Sequence, residues 1–195
     1  MYNELSFDEP GQSKDLAFLG GCPYLSLETP WPTDSKGKPL LHLASMPAAF
    51  FRRHAPQIDV AESFCISVFT PYDLLDDSYI DIAMSTGGRA IAHIPDERAP
   101  PPAAPPFEPR LFRVTINPAE DSEENGIAKV LGIPAWLQEE QAQGLQYTLQ
   151  INSFRLNRAA PTHRGILVGG MGYLMLRKII HHPTSDCGSF AIQTT

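Results

Sequence analysis

Cys22, in the stretch LGGCPYL at residues 19–25, is the first side chain here with chemistry to offer. A cysteine nucleophile needs a base or a helix N-terminus beside it. The flanking residues supply neither, so a buried structural thiol is expected. Near the C-terminus, HHPTSDC gathers His181, His182 and Cys187. A zinc site wants four ligands, commonly paired at short spacing. Adjacent histidines on an extended chain point to opposite sides, and no Cys-x-x-Cys completes the set, so no metal is expected. GGMG, residues 169–172, lacks the lysine and the spacing of a phosphate loop. It predicts a bulge or a turn. Neither G-x-S-x-G nor H-E-x-x-H occurs, which removes the common hydrolase and metalloprotease patterns. No catalytic residue and no cofactor is assigned.

Carboxylates are the better candidates. DLLDDSYID carries Asp73, Asp76, Asp77 and Asp81, with Tyr72 and Tyr79 on either side of the central acids. Tyrosine rings supply contact area and carboxylates pair with Arg or Lys, a combination suited to a basic protein partner. The D-x-D-x-D-G spacing of a calcium loop is missing. A second acidic set is Glu120, Asp121, Glu123 and Glu124, and a third is Glu139 and Glu140. The formal net charge is −7. The nearest basic cluster, Arg52, Arg53 and His54, is too small for a duplex, so no nucleic-acid partner is expected.

The elements that must position these residues read as mostly β. Strands are predicted at residues 40–44, 63–70, 79–84 and 89–94, then at 111–116, 147–154, 166–169, 173–180 and 189–193. They are short and rich in β-branched and aromatic residues. Alternation in LFRVTI and YTLQINSF suits a half-buried antiparallel sheet. PAAFFRRHA (residues 47–55) and PAWLQEEQAQG (134–144) predict two short helices, each opening on proline. Nineteen prolines are present, and the run PDERAPPPAAPPFEPR at 95–110 predicts an extended, polyproline-like connection. The fold class expected is α+β, predominantly antiparallel β with a few short helices.

LGGCPYL and VLGIPAWL (residues 130–137) match when Pro23 is set on Pro134, which places Gly21 on Gly132. Setting Leu41 on Leu149 then places Leu43 on Ile151 and Ser45 on Ser153. This predicts an internal duplication of a Gly-x-Pro/strand unit. The chain is expected to form one domain over residues 1–195, with halves at about 16–94 and 111–195 joined by the proline-rich 95–110.

The ordered set LGGCPYL, PWP (30–32), GKPLLHLA (37–44), LGIPAWLQ, LQINS, MGYLML and GSFAIQTT resembles the YwqG-like family. Leu131-Gly132 stands where that family has a second Gly-Gly, Asn152 where it has Asp, and GGMGY where Trp-Gly-Asp is frequent. The resemblance implies a predominantly β, internally duplicated fold with no established catalytic activity. Genes of that family often lie near polymorphic toxins and secretion-system effectors, type VI secretion among them. It therefore implies an immunity protein that binds and occludes a cognate secreted toxin; a nuclease toxin would carry a basic face for phosphate. The alternatives are an enzyme with its site in the cleft between the repeats, or a regulatory or scaffold binding module.

Compartment follows from simple counts. Three widely spaced cysteines, an odd number, predict reduced thiols and a cytoplasmic location. MYNELSFDEP is acidic with no apolar h-region, so no signal peptide is expected. Apolar runs fall well short of the roughly 20 residues that span a bilayer, so no membrane partner is expected.

Overall fold

The computed structural model describes residues 1–85, 87–97, 106–139 and 144–195. Its first elements are β1 (Tyr2–Ser6) and the two-residue β2 (Phe18–Leu19). β3 (Leu41–Pro47) runs directly into helix α1 (Ala48–His54), followed by β4 (Asp59–Val60). β5 (Cys65–Thr70), α2 (Ile80–Ser85) and β6 (Gly88–His93) come next. Past the proline-rich run lie β7 (Arg110–Leu111), β8 (Arg113–Asn117) and β9 (Lys129–Val130). β10 (Gln146–Asn152) runs into α3 (Ser153–Ala159). β11 (Met171–Leu176), β12 (Ile179–Ile180) and β13 (Thr184–Gln193) finish the chain.

Eleven strands form one sheet in the order β7-β2-β3-β5-β6-β13-β11-β10-β9-β1-β8, and β12 pairs with β4 separately. Every pairing within the large sheet is antiparallel, and only β4–β12 is parallel. β7 and β8 are the two edges, yet Phe112 alone separates them in sequence. The sheet must therefore roll until its edges stand side by side, which shelters edges that would otherwise recruit another chain. Phe112 packs on the core at that seam, and its N–H donates to the Ala17 carbonyl at 2.9 Å.

Alternation along each strand sorts the two faces of the sheet. Ile66 and Val68 of β5 join Met46, Leu149, Ile151, Leu174 and Phe190 on the inner face. Phe50 and Phe51 of α1 and Leu156 of α3 belong to the same core. Each such side chain stabilises by roughly 1.5–3 kcal/mol when fully buried. The outer face is roofed by loops. Leu25, Leu40 and Trp31 cover Phe69 and Ile91, while Trp136 and Leu137 cover Tyr147, Met171 and Tyr173.

Both seven-residue strands carry a bulge. Between His42 and Ala44 of β3 the extra residue is Leu43, and between Tyr147 and Leu149 of β10 it is Thr148. The Gly20 N–H donates to the Leu43 carbonyl at 2.8 Å, and the Leu131 N–H donates to the Thr148 carbonyl at 2.8 Å. Gly20 and Gly21 have φ of 71° and 60°, and Leu131 and Gly132 have 59° and 78°. Leu131 thus takes a left-handed conformation that costs a non-glycine residue about 1 kcal/mol or more. Leu19 pairs with Ala44 and Val130 with Leu149. Ala44 and Leu149 thus hold like places beside the two-residue strands β2 and β9, whereas the sequence match set Leu41 on Leu149. Matching apolar residues two apart cannot register a bulge.

Other expectations need correction. Residues 79–84 are not a strand: Ile80–Ser85 is helix α2, with Ala83 packed in the core. Ser153 and Phe154 leave the strand for α3, whose first turn is capped by the Asn152 side chain accepting from the Arg155 N–H at 2.9 Å. Residues 166–169 form turns, with the Val168 N–H bonded to Gly165 O and the Gly170 N–H to Leu167 O, each at 2.8 Å. Residues 134–136 have no regular structure and 137–139 are bends in place of the expected helix, and residues 140–143 lie outside the described residues. So do residues 98–105 of the proline-rich run.

Candidate functional site

The 72–81 segment follows β5 and enters α2. Tyr72 and Tyr79 are buried, not presented to a partner. Their rings meet edge to face at 5.0 Å. The Tyr72 hydroxyl donates to Arg164 O at 3.2 Å, and the Tyr79 hydroxyl donates to Gly165 O at 2.8 Å. Burial pushes the Tyr79 hydroxyl up to about 12. The expectation that these rings supply contact area is corrected: they pin the turn to the 164–165 turn.

What they pin is acidic and apolar at once. Asp73 Oδ1 accepts from the Leu75 N–H at 2.8 Å, and Asp73 pairs with Lys38. Asp76 Oδ1 accepts from the Ser78 N–H at 2.7 Å. The Lys38 ammonium holds the Asp73 carboxyl below its ordinary range, and bonds from Ser78 do the same for Asp76. Asp77 and Asp81 are exposed. Between these acids Leu74 is 46% and Leu75 92% exposed. Sequence reasoning passed over these leucines, although the signal was present: two adjacent apolar residues between acids, in a segment with no strand or helix period to bury both.

The second acidic set divides. Glu120, Glu123 and Glu124 are exposed, whereas Asp121 turns inward. Its Oδ1 lies 2.5 Å from the Nζ of Lys129, which is fully buried, and its Oδ2 accepts from the Ile133 N–H at 2.7 Å. Asp121 is a structural clasp, which corrects its assignment to a partner surface. Glu139 has an exposed side chain and a carbonyl that accepts from Gln193 Nε2 at 2.9 Å, while Glu140 is outside the described residues. Among the described residues no hydrogen bond or ion pair joins the 73–81 set to the 120–124 set.

A buried polar chain crosses the outer face of β3, β5 and β6. His42 Nε2 is 2.9 Å from Ser45 Oγ, Ser45 Oγ is 2.7 Å from Ser67 Oγ, and Ser67 Oγ is 2.8 Å from His93 Nε2. Serine beside histidine is the geometry of an activated nucleophile. Here, however, the far ring nitrogens face backbone carbonyls, Gly21 O at 3.1 Å and Ile94 O at 3.3 Å, and not carboxylates. None of the four residues is more than 3% exposed. Burial pushes the His42 imidazole down to about 4 and lowers that of His93, so both rings are neutral at pH 7. The neighbouring Cys65 thiol is pushed up to about 12 by the same burial. This chain satisfies polar groups beneath the 20–40 loop. Across the sheet junction the positions of Ser45, Ser67 and His93 are answered by Gln150, Tyr173 and Gln193, which bond to the loop that roofs them.

Where β6 meets β13, a cleft of about 200 Å³ is lined by Asp34, Ser35, Arg89, Asp186 and Ser189. His181 Nε2 lies 2.9 Å from Asp59 Oδ2, His182 is exposed, and Cys187 is buried with its thiol pushed up to about 12. Among the described residues no three His, Cys, Asp or Glu side chains are grouped to hold a metal. No helix among them is long and apolar enough to cross a membrane. Set against protein-family models and curated proteins, the chain matches none of them.

Proposed function

We propose that this is an immunity protein of the YwqG-like kind, which binds a cognate secreted bacterial toxin in the cytoplasm and occludes it. The observation that carries the reading is the 73–78 turn: Leu75, 92% exposed, stands among Asp73, Asp76 and Asp77 on a turn fixed from below by two buried tyrosines. An exposed apolar side chain ringed by charge, on a preorganised support, suits a protein interface with a polar rim. Acidic surroundings select a basic partner and speed its encounter. A nuclease presents such a basic face to phosphate, and an acidic inhibitor can fill it.

The same proposal takes the protein as one domain of two duplicated halves. Its support is the matched order β2-β3-β5-β6 and β9-β10-β11-β13, with a helix leaving each bulged strand. The paired left-handed residues at 20–21 and 131–132 add to it.

The test is affinity capture of the full chain from its native host at low and moderate salt. A single partner in equimolar amount, toxic alone and harmless beside this protein, is the expected result. Absence of any partner at either salt would remove the immunity reading. A small ligand found in the Arg89 cleft would then favour an enzyme.

A further inference from the structure

A cavity of about 640 Å³ lies at the seam of the rolled sheet. Its walls carry Arg110 from β7, Arg113 from β8, and Arg155 and Arg158 from α3, against two carboxylates, Glu4 and Asp8. Four arginines thus line one concavity of a chain whose net charge is −7. They come in two pairs, Arg110 with Arg113 and Arg155 with Arg158, from separate parts of the sequence, so no basic run announces them.

The four differ in how far they are committed. Arg155 is tied down, paired with Glu4 and donating from Nη1 to Leu5 O at 3.0 Å. Arg110 meets Glu108 at 2.8 Å, but its Nε is buried with no hydrogen-bond partner. Arg158 stands 3.8 Å from Asp8 with both side chains over 70% exposed, a contact too loose and wet to occupy it. Arg113 is exposed and has no ion pair among the described residues. Phe154, in the first turn of α3, lines the same cleft with its ring 75% exposed.

We propose that this cleft binds a nucleotide. Arg110, Arg113 and Arg158 hold its phosphates, and Phe154 stacks on its base. Planar guanidinium forks match phosphate oxygens two at a time. A concave site whose cations outnumber its carboxylates concentrates anions even when the whole molecule is acidic. An exposed aromatic ring beside such forks is a platform for a base. The volume falls within the roughly 300–1,000 Å³ of small-ligand sites. None of these residues belongs to the 72–81 turn, so the inference stands or falls apart from the immunity reading.

The test is isothermal titration of the full chain with ADP and, separately, with inorganic phosphate. ADP is expected to bind, and more tightly than phosphate. Arg113→Ala, an exposed replacement that leaves the thermal midpoint unchanged, should weaken both ligands about tenfold. Phe154→Ala should weaken ADP about tenfold and leave phosphate untouched. No heat from either ligand, or ADP binding unaffected by Arg113→Ala, would overturn the site. Phosphate bound as tightly as ADP would overturn the role of Phe154.

Discussion

Lys129 Nζ lies 2.5 Å from Asp121 Oδ1, and the lysine is fully buried. Tyr2 adds its ring face 5.8 Å from the ammonium. Breaking one side of a buried pair costs more than the pair is worth, because the surviving charge has no partner. Asp121→Asn keeps an acceptor for the Ile133 N–H and strands Lys129, so it should destabilise by about 3–5 kcal/mol. Glu123→Gln and Glu124→Gln, in the same loop but exposed, should stay within about 0.5 kcal/mol. Denaturant unfolding of the three variants checks this, and equal midpoints would refute the clasp.

The His42–Ser45–Ser67–His93 chain makes stability sensitive to acid. His42 titrates near 4 when folded and near its ordinary 6.5 when unfolded. Between those values the unfolded chain binds more protons, so stability rises with pH through this window. It is fully present above about 6.5 and declines as pH falls towards 4, by an amount on the order of 3 kcal/mol from His42 alone. His93 and His54 are lowered by burial as well and act in the same direction. Unfolding free energies measured between pH 7.5 and 4.5 should show this slope, and His42→Phe should flatten it. A flat profile for the unaltered protein would contradict the neutral buried pair.

Tyr79→Phe separates support from contact. It removes the bond to Gly165 O and keeps the ring on Tyr72. The loss should be about 1 kcal/mol, a few degrees in thermal midpoint. Partner affinity should not change, since the hydroxyl is turned into the protein. A large affinity loss with an unchanged midpoint would place Tyr79 in the interface after all.

The strands were legible where one pattern governed them. QYTLQIN alternates, and the β-branched and aromatic residues of CISVFT fit a pleated surface. The misses share a cause. YIDIAM carries strand formers, yet Ala83 packs as part of a short helix because tertiary burial outweighs weak local preference. Ser153 and Phe154 read as strand end because the helix cap, Asn152, is also the last residue of β10. Leu131 holds a left-handed backbone conformation like that of Gly20 without being glycine, so residue type alone did not announce that turn. The arginine cleft was invisible for a different reason. Its four arginines line one cleft only because a rolled sheet brings β1, β7 and β8 beside α3, and closure of that kind leaves no local mark. Asp121 could not be told from Glu120 or Glu123 by composition, since only the fold sets Lys129 beneath it.

The most direct measurement is protection. Cells producing the captured toxin alone should die, and cells that also produce the unaltered protein should survive. Leu75→Asp and Asp77→Lys together, both at exposed positions, should abolish protection and weaken binding at least about a hundredfold, the loss of one exposed apolar contact plus a reversed charge. Their thermal midpoint should match that of the unaltered protein. Full protection by this variant would contradict the account, because the turn could not then be the surface that occludes the toxin.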